Sequence, residues 1–62
     1  MKVKLQHQRR GECPTIATAD VGAVGVPRKG DNVSVDGVGY VVLAVFWDVV
    51  DGALVPTHVR LK

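Results

Sequence analysis

Apolar residues recur at alternate positions along most of this chain, and no stretch shows the three-and-four spacing of an amphipathic helix. Met1–His7 sets Val3, Leu5 and His7 on one side and Lys2, Lys4 and Gln6 on the other, the pattern of a half-buried strand. Gly11–Pro14 interrupts it. Thr15–Ala19 follows as a second strand, with Ile16 its one large apolar residue. Asp20–Gly30 carries Gly22, Gly25, Pro27 and Gly30, which predicts a loop. Val26–Asp31 predicts a turn feeding the next strand, since proline presets φ and glycine supplies positive φ.

The sharpest local signals are two Asp-Gly pairs, Asp36-Gly37 and Asp51-Gly52, each between apolar runs. Both central residues of a type I′ turn need positive φ, and Asp-Gly meets that need. Taken as two-residue loops, the pairs fix two registers. The first sets Val35 against Val38 and Val33 against Tyr40. The second sets Phe46 against Thr57, Ala44 against Val59, and Val42 against Leu61. Both select one face of the shared middle strand, made of Val33, Val35, Val38, Tyr40, Val42, Ala44, Phe46, Val59 and Leu61. A slip of one residue in either hairpin would destroy this agreement, so that face is the expected core.

The opposite face then carries Val41, Leu43, Val45 and Trp47, with Asn32 and Ser34 on one flank and His58, Arg60 and Lys62 on the other. Four large apolar side chains in a row do not belong in water. The residues expected to bind are therefore Val41, Leu43, Val45, Trp47, His58, Arg60 and Lys62. Three things could cover them: the N-terminal segment closing a barrel, a second copy of the chain, or a partner.

Composition supports an ordered domain, with 47% hydrophobic and 23% charged residues. Sixty-two residues make one domain, spanning 1–62, with a small core. Domains of this size usually add a disulfide, a metal or self-association. One cysteine excludes an internal disulfide, and His7, Cys13 and His58 are the only soft metal ligands. A homo-oligomer is the remaining expectation. No apolar run approaches the ~20 residues of a helical membrane span, and the first residues lack a signal peptide's continuous apolar segment. The expected setting is the cytoplasm, with no membrane partner.

The formal charge of +2 is segregated. Lys2, Lys4, Arg9 and Arg10 precede the first acid, Glu12, and Arg60 and Lys62 follow the last, Asp51. If the two ends meet, they form a basic face. Trp47 beside His58 and Arg60 could then stack bases while cations meet phosphate. The alternative is that arginine and lysine stems simply cover apolar neighbours.

Catalytic chemistry finds little foothold. The glycines fit neither G-x-G-x-x-G nor a P-loop, because Lys29-Gly30-Asp31 stands where Gly-Lys-Ser/Thr is needed. Cys13 has no evident base and orienting group. The histidines and cysteine lack metal-ligand spacing. No cofactor, no metal and no catalytic residue is expected.

Residues 26–47 contain Pro27, Arg28, Gly30, Asp31, Val33, Val35, Asp36, Gly37, Tyr40, Val45 and Trp47. This pattern, P-R-x-G-D-x-V-x-V-D-G followed by a tyrosine strand ending in V-x-W, resembles short proteins encoded by phages and prophages. Gly30-Asp31-x-Val33-x-Val35 is also similar to the opening strand of SH3-like barrels. The resemblance covers about a third of the chain. It implies a small barrel of mobile-element origin and no particular activity. The expected fold is all-β, five to six short strands in a small SH3-like barrel or a strongly bent antiparallel sheet. The expected function is a non-enzymatic interaction module, a phage accessory protein that binds itself or a host or virion protein. The alternative is a nucleic-acid-binding module using the basic termini and Trp47.

Overall fold

The computed structural model of the chain describes residues 2–21 and 25–62. Met1, and the Gly22–Val24 part of the expected loop, lie outside the described residues. Five strands follow in order: β1 (Lys2–His7), β2 (Thr15–Asp20), β3 (Asn32–Val35), β4 (Val38–Val50) and β5 (Ala53–Leu61). They form one sheet in the order β2-β1-β5-β4-β3, strongly curled into a half-barrel. The all-β fold expected from the alternating pattern is the one observed.

Both Asp-Gly turns form as the sequence predicts. Asp36 and Gly37 take φ of 49° and 82°, and Asp51 and Gly52 take 50° and 79°. The β3–β4 register is also as expected, with Val35 opposite Val38 and Val33 opposite Tyr40. Before β3, Asp31 Oδ2 accepts from the Arg28 N–H at 2.8 Å, and the Asp31 N–H donates to the Arg28 carbonyl at 3.0 Å. This closes the turn expected at Val26–Asp31.

The β4–β5 register agrees with expectation only at its two ends. Val50 faces Ala53 beside the turn, and Val42 faces Leu61. Between them Ala44 faces Arg60 rather than Val59, and Phe46 faces His58 rather than Thr57. Two β-bulges cause this, one at Thr57 on β5 and one at Leu43 on β4. Each puts two residues opposite one and so reverses which side chains point inward. Because the two extra residues sit on different strands, the first shift is cancelled by the second.

The remaining pairings depend on the first strand. β1 lies antiparallel to β2 and parallel to β5, with Lys4 beside His58, Leu5 beside Val59, Gln6 beside Arg60 and His7 beside Leu61. The N-terminal segment therefore extends the sheet instead of folding across its outer side. This junction is parallel, and the other three pairings of the sheet are antiparallel.

The concave side holds the core, in which Val3, Leu5, Val42, Val59 and Leu61 are buried. Ile16, Ala17, Ala19, Val21, Val33, Val35, Tyr40 and Val45 pack against it. His7 meets Tyr40 edge-on at 5.0 Å. Ala44 and Phe46, expected in this core, are absent from it because the Leu43 bulge turns them to the convex side. Val38 is also largely exposed.

Candidate interaction face

The convex side of β1, β5 and β4 gathers most of the residues singled out in the sequence. On β1, burial alternates with Val3 and Leu5 inside, so Lys2, Lys4 and Gln6 project outward. Their β5 neighbours His58 and Arg60 share that direction, because Val59 and Leu61 between them are buried. On β4, Ala44 and Phe46 complete the rows opposite Arg60 and His58.

The centre of this face is a packed cluster. The Phe46 and His58 rings stack at 4.3 Å and 18°. The Arg60 guanidinium carbon lies 4.8 Å from the Phe46 ring centre, within cation–π range. The bulge residue Thr57 holds this arrangement in place: its hydroxyl donates to the Phe46 carbonyl at 3.2 Å and lies 3.0 Å from His58 Nδ1. Arg60 Nε is buried and has no hydrogen-bond partner among the described residues. An arginine packed on its neighbours in this way still offers a planar fork of donors suited to carboxylate or phosphate.

Cations surround the cluster. Lys2 and Lys4 are exposed on one side. At the opposite end Arg9, Arg10 and Lys62 line a shallow groove with Gln8, Gly11 and Leu43. The Lys62 N–H donates to the Val41 carbonyl at 2.8 Å, and the Gln8 N–H donates to the Leu61 carbonyl at 2.8 Å, which fixes this end of the sheet. Among the paired positions of β1 and β2, Asp20 is the acid on this face, opposite Lys2.

The seven residues expected to bind are thus divided. Val41, Leu43, His58, Arg60 and Lys62 lie on or along the convex face. Val45 turns inward and packs against the core. Trp47, paired with buried Pro56, continues on Val45's side of β4 and is half exposed. The continuous stripe from Val41 to Trp47 is therefore broken, and Phe46 takes the place expected of Trp47. Pro56 was the signal in the sequence, since a proline inside a strand points to an edge or a bulge.

Other chemistry is sparse. Cys13 is exposed, and no three His, Cys, Asp or Glu side chains gather into a metal site among the described residues. A second open groove, between β2 and β3, is lined by residues including Val21, Val26, Pro27 and Val33. No helix among the described residues is long and apolar enough to cross a membrane. Compared with protein-family models, curated proteins and solved structures, the chain matches none.

Proposed function

We propose that this chain is a non-enzymatic binding module whose convex face takes a nucleic acid. The supporting observation is the parallel pairing of β1 with β5, which sets Lys4 beside His58 and Gln6 beside Arg60, so that Lys4 and Arg60 share one face as diagonal neighbours, and gathers Lys62 with Arg9 and Arg10 at one end. Cations gathered on one face raise the local positive potential, and a chain of phosphates is the anion that answers it. Alternate residues of a strand lie about 6.5–7 Å apart, so the lysines form a track rather than a point. Phosphate contacts dominate such binding and carry little sequence information. Phe46 already bears His58, so base stacking is secondary to the charge.

On the resemblance to phage and prophage proteins, the reading extends to an accessory protein working in the cytoplasm, where nucleic acid is available. Binding of labelled single- and double-stranded oligonucleotides, followed by anisotropy, tests it. Affinity is expected to fall steeply with salt. Arg60→Met combined with Lys62→Ala should flatten the log–log slope by about 0.7–0.9 for each phosphate that is no longer neutralised. Trp47→Ala should leave the slope unchanged, because Trp47 is on the other side. Absence of binding at low salt would overturn the proposal.

A further inference from the structure

β4 and β5 run on beyond both of their neighbours. β1 pairs with β5 only from His58 to Leu61, and β3 pairs with β4 only from Val38 to Val41. Pro56, which has no N–H to give a ladder, stands just before the β1 pairing begins. Residues 47–56 therefore project as a two-stranded arm, four residues to a limb and about 13 Å long at the usual strand rise. Alternation continues along it. Trp47 and Val49, with Leu54 and Pro56 opposite, lie on the side that carries Val45 and the core. Trp47 is 50% exposed, Val49 65% and Leu54 68%. The result is an apolar ledge that prolongs the core beyond the edge of the sheet. A two-stranded hairpin standing alone in water is at best marginally stable.

We infer that this ledge is the interface for a second copy of the chain, with two arms packing ledge to ledge across a two-fold axis. The charge distribution selects that occupant. The arm carries Asp48 and Asp51 and no lysine or arginine, whereas the other fifty-two residues hold all eight cations against four acids. Antiparallel arms send each acidic tip toward the other copy's basic body, and an isologous contact needs only one self-complementary patch. The inference rests on the arm and not on the convex face, so it stands or falls independently of nucleic-acid binding.

The test uses the full chain without nucleic acid. Sedimentation should give a dimer that dissociates on dilution, and Trp47, the chain's one tryptophan, should shift its emission to the red as it is uncovered. Leu54→Glu puts a charge in the ledge at a side chain outside the core, and should yield a folded monomer by circular dichroism. Val50→Glu, on the arm's other side, should still dimerise. A wild-type mass that stays monomeric at high concentration overturns the inference. So does a Leu54→Glu variant that dimerises as well as the Val50→Glu variant.

Discussion

At the scale of single residues, burial and chemistry part company on β4 and β5. Val3, Val42, Val59 and Leu61 are the fully buried side chains. Leu61→Ala should cost about 2–5 kcal/mol, a large part of the roughly 3–9 kcal/mol expected for a chain of this length. Phe46→Ala removes a half-buried ring outside that cluster and should cost distinctly less. Urea titration of both variants checks the order. Equal or reversed losses would mean that Phe46 belongs to the core after all. Arg60→Met keeps an aliphatic stem over Phe46 and removes a buried N–H that lacks a partner. Its urea midpoint should be unchanged or raised, even though oligonucleotide affinity falls. Alternation made Val3 and Leu5 legible in the sequence, and alternation with the two turn registers did so for Val42, Val59 and Leu61. It misplaced Ala44 and Phe46 because strict alternation assumes an unbroken ladder.

The turns are the elements most plainly written in the sequence, since Asp-Gly has few alternatives at positive φ. Gly37→Ala should cost about 1–2 kcal/mol by forcing a Cβ into the left-handed region, measured by the same titration. The bulges were not legible. A bulge gives up little ladder hydrogen bonding and is chosen by how the strand must curl against its neighbours. Thr57 and Leu43 look like ordinary strand residues, and only Pro56 hinted at a break. Their effect is larger than their size, because they decide that Phe46 and not Trp47 sits with His58 and Arg60. The arm they separate from the sheet should also show in hydrogen exchange. In dilute protein, amides of residues 47–56 should exchange well before those of 42–45 and 58–61. As protein concentration rises, they should gain protection. Protection of the arm equal to that of the sheet at every concentration would contradict both the overhang and its docking.

For the molecule as a whole, the basic ends were visible in the sequence as charge runs, but their meeting was conditional. Parallel pairing of β1 and β5 leaves no local trace, because the paired residues are more than fifty positions apart. The pairing sets the expected response to anions. A saturating oligonucleotide at about 100 times its dissociation constant should add about 2.7 kcal/mol, raising the melting temperature by roughly 10–20 °C for a domain of this size. An unchanged melting temperature at saturation would argue that the face meets no polyanion. The same pairing also dictates an order of events during synthesis. β1 is made first, yet the strand that completes its other edge is finished only with Leu61. At roughly 5–20 residues per second the nascent hairpin of β1 and β2 waits about two to eight seconds with that edge bare. Bare edges invite other strands, and lysines along them are a common deterrent. Lys2 and Lys4 would thus guard the unfinished chain against aggregation before they meet any ligand.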